Sequence, residues 1–223
     1  MSHIESLTDQ FVKLHADRVA TWPSERLAKN IEQRAALVAA FDPATVVQVG
    51  DVVAPFTLDG SDGTPLTLET LVADRPGVLV FFRFAGCPAC NLALPYYDRQ
   101  LRPALDAAGI RLVAVSPHLP ERSLGAIRDR HDLHFAVAAD RDNTLARRLG
   151  ITFARGDVPA ETAPGWIGEL TGIGTSELPQ PTVIVIDQDR IVRFVDVSPD
   201  WLVRTEAPVI LAAVARLELA AAA

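Results

Sequence analysis

Two cysteines occur in the chain, and they stand one helical turn apart in Cys87-Pro88-Ala89-Cys90. Two thiols at that spacing can be oxidised to one bridge and reduced back, or one can react and the other release it. The run before them, Gly77-Val78-Leu79-Val80-Phe81-Phe82-Arg83-Phe84, is apolar but for one Arg, as expected of a strand covered on both faces. The residues after them read as helix, with Pro88 at a first position where a missing N–H costs nothing. A thiol there meets free backbone N–H groups and the positive end of the helix dipole, which favour the thiolate. Cys87 is therefore expected to be the more exposed and more acidic nucleophile, and Cys90 the resolving thiol one turn deeper. Arg83, at the strand end, is expected to place a fixed positive charge near Cys87.

Other chemistries fit less well. A structural disulfide needs an oxidising compartment. A zinc site needs four ligands, and His131 and His134 form the one close pair that could complete it. His118, after Ser116-Pro117, could border the site but lacks a partner acid. Gly165-Trp166-Ile167-Gly168 and Gly172-Ile173-Gly174 lack the strand and helix of a nucleotide loop. Trp166 and Trp201 read as packing residues. No metal and no cofactor is expected.

The elements that must position the thiols can be read from periodicity. Residues 4–40 read as helix, with apolar Ile4, Leu7, Phe11, Leu14, Val19 and Trp22 at three-to-four spacing and a break at Pro23. Residues 1–45 are assigned to this helical extension and 46–223 to the domain that carries the thiols. Within the domain, 46–49, 56–58, 66–68, 77–84, 110–115, 182–186 and 191–197 read as strands. Residues 88–108, 121–131, 143–149 and 207–217 read as helices. The alternation gives an α/β fold with a partly parallel sheet, and Asp187-Gln188-Asp189-Arg190 closes an antiparallel hairpin. Residues 154–180, rich in Gly, Pro and Thr, read as an irregular insertion.

Composition narrows the partners. The 223 residues carry a net charge of -7 and no basic stripe, which speaks against nucleic acid. No stretch approaches the roughly 18 to 20 apolar residues of a membrane span, and Met1–Gln10 is polar, so a cytoplasmic protein is expected.

With these residues placed, the chain from about Val49 to Val214 resembles the alkyl hydroperoxide reductase/thiol-specific antioxidant (peroxiredoxin-like) branch of the thioredoxin superfamily. The resemblance is carried by Val49-Gly50-Asp51-Val52-Val53-Ala54-Pro55-Phe56-Thr57-Leu58 and Phe82-Arg83-Phe84-Ala85-Gly86-Cys87-Pro88-Ala89-Cys90-Asn91. Leu112-Val113-Ala114-Val115-Ser116-Pro117 and Pro181-Thr182-Val183-Ile184-Val185-Ile186-Asp187 continue it. It implies a thioredoxin-like fold, a central mixed sheet flanked by helices, with peroxide reduction at Cys87. It also implies a thioredoxin- or glutaredoxin-type reductant and, at family level, a homodimer. Where the family carries a Pro and a Thr before its reactive cysteine, this chain has Val80 and Phe84. Pro181 stands where the family has an Arg, and it looks like the cis-proline that faces the CxxC of disulfide reductases. Pro95, five residues beyond Cys90, is also thioredoxin-like. The resemblance thus leaves two activities open: a thiol peroxidase, and a protein thiol–disulfide oxidoreductase with little peroxide chemistry. A redox-inactive adaptor is a third reading. In the first two, Cys87, Cys90 and Arg83 are the catalytic set, and Phe84, Pro88 and Pro181 lie on the substrate side.

Overall fold

A computed structural model describes residues 5–154 and 164–221. The first two elements are helices, α1 (Leu7–Thr21) and α2 (Ser24–Ala40), separated at Pro23 as the periodicity demands. The Ser6 hydroxyl caps α1 by accepting the Asp9 N–H. Strands β1 (Thr57–Gly60) and β2 (Pro65–Thr67) then form a hairpin, followed by the short α3 (Leu68–Leu71). The central unit is β3 (Gly77–Phe81), α4 (Cys90–Gln100), α5 (Arg102–Ala107), β4 (Arg111–Ser116), α6 (Ala126–His131), β5 (Ala136–Ala139) and α7 (Thr144–Arg148). A two-stranded pair, β6 (Thr152–Phe153) with β7 (Leu178–Pro179), flanks α8 (Ile167–Thr171). The chain closes with β8 (Thr182–Ile186), β9 (Val192–Val197) and α9 (Ala207–Ala221).

The main sheet runs β2-β1-β5-β4-β3-β8-β9. β3 pairs parallel with β4, and β4 with β5, as expected of βαβ crossovers. β8 and β9 add antiparallel at the other side of β3. All five residues of β3 are buried. Val78 and Val80 face a core shared with α1, α4 and α9, while Leu79 and Phe81 face the opposite core with α3 and α7. α1 is part of that first core: Leu7 and Phe11 are buried against it, and α1 packs on α4. α2 buries none of its side chains.

Several expectations need correction. Val46–Val49 is not a strand; Val47 N–H donates once, to the Leu149 carbonyl, and the segment crosses the core edge as coil. The helix expected over 88–108 is two, because Pro103 ends the first run and starts the second. The helix expected over 121–131 starts at Ala126, after a short 3-10 turn (Pro120–Arg122) that Ser123 ends with a left-handed φ of 66°. β5 was not read from the sequence, because Ala136-Val137-Ala138-Ala139 has little intrinsic strand preference and is held by its two neighbours. Part of the irregular insertion, 155–163, lies outside the described residues; beyond it are α8 and β7. Among the described residues, no helix is long and apolar enough to cross a membrane.

Candidate active site

The loop that leaves β3 delivers Cys87 to the start of α4. The Cys87 carbonyl accepts the Asn91 N–H at 3.0 Å, so Cys87 stands one hydrogen-bonded turn ahead of Asn91, just before the Ala89 N-cap of α4. Asn91 reinforces this: its Nδ2 donates to the carbonyls of Ala85 and Cys87, each at 2.8 Å, and its Oδ1 accepts from Arg130. His118 holds the other side of the loop. Its Nδ1 accepts the Ala85 N–H and its Nε2–H donates to the Arg122 carbonyl at 2.6 Å. Burial lowers the His118 pKa, which keeps the neutral ring this arrangement requires. His118 thus shapes the thiol loop, the border position its sequence context suggested.

The two sulfurs differ sharply in acidity. Cys87 is lowered to about 5, first because the Cys90 thiol donates a hydrogen bond to it. Burial opposes the shift, while the charges of Arg83 and Arg204 and the Cys90 backbone N–H favour the thiolate. Cys90 is raised well above the ordinary thiol range, first by burial and then by its bond to Cys87. The order of acidity and the charge from Arg83 agree with expectation. The expected exposure does not. Cys87 is 2 % exposed and Cys90 is enclosed, because α1 and the loop carrying Trp201 and Leu202 close over the apolar cluster that contains both sulfurs.

That cover is fastened at several points. Glu206 accepts the backbone N–H groups of Leu7 and Thr8 and the Thr8 hydroxyl, at 3.1, 2.8 and 2.9 Å. It also accepts the Tyr96 hydroxyl at 2.6 Å, and that oxygen in turn takes the Ala207 N–H. One carboxylate therefore sits at the positive ends of both α1 and α9. Glu5 forks onto Arg99, and Arg34 of α2 pairs with Asp200 at 2.9 Å.

The remaining predicted residues are partly assembled. Phe81 pairs with Thr182, so Pro181 stands at the end of the sheet from which the thiol loop departs. Its peptide bond is trans, as are all others among the described residues, and this corrects the cis reading. Pro181 simply precedes a strand, where no N–H is needed, and its carbonyl accepts from Ser198 at 2.8 Å. Phe84 is half-buried, with the Arg83 guanidinium 5.8 Å from its ring, and Pro88 is exposed beside Cys87. His131 and His134 diverge to Asn91 and Asp98. Among the described residues, no group of three or more His, Cys, Asp or Glu could hold a metal ion.

Sequence reasoning missed Arg18 and Arg204. Both are buried, at 4 % and 8 % exposure. The Arg18 guanidinium stacks on Trp22 and Trp201, at 4.8 and 5.2 Å, and Arg83 lies 4.9 Å from the same Trp201 ring. A signal existed: the stripe Leu7, Phe11, Leu14 continues to position 18, where the chain has Arg, while Val19 is exposed.

A paired-thiol turn between a central strand and a helix, set in a mixed sheet flanked by helices, is the arrangement of a thioredoxin-like fold. The chain belongs to the AhpC/TSA family, whose model matches residues 49–195. It is 27% identical over 113 residues to the thiol-disulfide oxidoreductase ResA of Geobacillus thermodenitrificans, covering 50% of this chain and 62% of that protein. The chain thus spans less than two thirds of that relative. Peroxidoxin BcpB of Mycobacterium tuberculosis shares the fold with a TM-score of 0.60 at 24% identity, over 76% of this chain and 97% of that one. Peroxiredoxin 6 of Arenicola marina superposes with a TM-score of 0.61 at 19% identity, over 78% and 75% of the two chains.

Proposed function

We propose that the protein is a thiol-dependent peroxidase, with Cys87 peroxidatic, Cys90 resolving and Arg83 stabilising the thiolate. The observation that carries this reading is the pairing of an acidic Cys87 with a Cys90 that stays protonated and donates to it. The Cys87 thiolate attacks the terminal oxygen of a hydroperoxide. An S–O bond forms, the O–O bond breaks, and the leaving alkoxide or hydroxide takes a proton from solvent. Sulfur is oxidised to sulfenic acid as the peroxide is reduced. Cys90 then displaces water from that sulfur to form the disulfide, and a thioredoxin- or glutaredoxin-type dithiol is oxidised in returning both thiols. A reducing compartment such as the cytoplasm suits this cycle.

In this reading the extension assigned to residues 1–45 supplies, through α1, a cover that opens to admit substrate, and Phe84, Pro88 and Pro181 line the approach. Mixing reduced protein with hydrogen peroxide and following Trp fluorescence by stopped flow tests it. Cys87→Ser abolishes the change, and Cys90→Ser keeps a single turnover. A wild-type protein that reacts no faster than free cysteine ends the peroxidase reading.

The similarity to ResA, together with Val80 and Phe84 at the positions discussed above, supports a second reading: a disulfide oxidoreductase acting on protein disulfides. Insulin reduction assayed beside peroxide consumption separates the two, and failure to reduce any protein disulfide removes the second.

A further inference from the structure

Three guanidiniums converge on Trp201 beside the thiols. Arg18 and Arg83 lie against its ring, and Arg204 Nη1 donates to its carbonyl at 2.5 Å. Arg204 also stacks on Phe11 of α1, 5.6 Å from the ring centre, which puts it under the same cover as Arg18. Arg18 Nη1 and Arg204 Nη2 are buried without a hydrogen-bond partner, and so is the Trp201 indole nitrogen. Among the described residues, no carboxylate pairs with either Arg18 or Arg204; Asp200 is engaged by Arg34. The charges felt by Arg18 are those of Cys87 and of three further arginines, Arg34, Arg26 and Arg83.

Burying a charged group without a counter-ion is unfavourable, and buried donors are rarely left unused. The Cys87 thiolate offsets one positive charge of this group. Two unused guanidinium nitrogens and an indole N–H then remain as donors under an apolar roof. This is the donor set of a planar anion, and guanidinium geometry suits a carboxylate.

We propose that Arg18 and Arg204, with the Trp201 indole, form a carboxylate subsite beside Cys87 that selects hydroperoxides bearing a carboxylate over neutral ones of similar size. The substrate class rests on the peroxidase reading above, while the subsite itself does not. Arg18 and Arg204 lie outside the family-matched segment 49–195. The chemistry is unchanged: sulfur takes the terminal oxygen, the O–O bond breaks, and the carboxylated alkoxide leaves and is protonated by solvent. The subsite holds the carboxylate end so that the peroxy end meets sulfur.

The test compares iodoacetate with iodoacetamide, which share a leaving group and size but differ in charge. Reduced protein is alkylated with each, and the modified Cys87 peptide is quantified by mass spectrometry. Both reagents need the thiolate, so their rate ratio is insensitive to Cys87 acidity. Iodoacetate should react about fivefold or more faster in the wild type, and Arg18→Gln should cut the ratio by about tenfold, with Arg18→Lys restoring part of it. A wild-type preference for iodoacetamide overturns the subsite, as does a ratio untouched by Arg18→Gln in folded protein.

A second arm measures kcat/KM for tert-butyl hydroperoxide and for 3-hydroperoxy-3-methylbutanoate. Preference for the carboxylated peroxide supports the proposal, and preference for the neutral one overturns it. Iodoacetate preference without any peroxide turnover supports the subsite and removes the peroxidase reading alone.

Discussion

The acidity of Cys87 is traced first to a hydrogen bond from Cys90, and that attribution can be broken apart by substitution. Cys90→Ala removes the S–H donor while leaving Arg83, Arg204 and the residue-90 backbone N–H in place. A hydrogen bond to a charged acceptor contributes about 1.5–3 kcal/mol, and each ~1.36 kcal/mol is one pKa unit. The Cys87 midpoint should therefore rise from about 5 to roughly 6–7 in Cys90→Ala. Cys90→Ser keeps an O–H donor and should stay much closer to the wild type. Thiolate absorbance near the ultraviolet edge, or iodoacetamide alkylation rate against pH, measures all three. If Cys90→Ala titrates where the wild type does, the bond between the sulfurs is not the dominant cause. If the wild type itself titrates in the ordinary thiol range, an ionised Cys87 at neutral pH is lost altogether.

Two further outcomes follow from the same geometry. Because Cys87 is lowered to about 5, the reactive form is present above that value and is lost as pH falls through it. Second-order peroxide rate constants on reduced protein should thus fall through an acid limb near pH 5 and be nearly flat from 6 to 8; a limb near 8 contradicts this. Glu206→Ala unfastens α1 from Tyr96 and from its own helix terminus, removing acceptors for Leu7, Thr8 and Tyr96. It should cost about 2–4 kcal/mol in stability and speed iodoacetamide access to Cys87 severalfold, with faster hydrogen exchange in α1. Unchanged alkylation and exchange would mean that Glu206 does not hold the cover.

The sheet was legible where burial leaves a long apolar run. Gly77–Phe81 and Thr182–Ile186 are covered on both faces, so their residue types carry the signal directly. Ala136–Ala139 is equally central, yet its small side chains fit under neighbouring elements rather than announcing a strand. The thiol turn was readable from local spacing, since capping and dipole act within one turn. What covers it was not, because that depends on contacts between residues far apart, such as Leu7 with Glu206 and Arg34 with Asp200. The exposure expected for Cys87 failed for that reason. Arg18 failed for another: a charged residue on an apolar stripe reads as an interruption until stacked tryptophans give it a place.

The junction at Glu206 ties together segments made well apart during synthesis. Leu7 and Thr8 emerge early from the ribosome, whereas their acceptor follows some 200 residues later. Until then the thiols of a nascent chain lack their roof, and reactive sulfur is open to any oxidant or passing cysteine. The stretch of chain between the two partners is therefore an interval in which the growing molecule is chemically vulnerable.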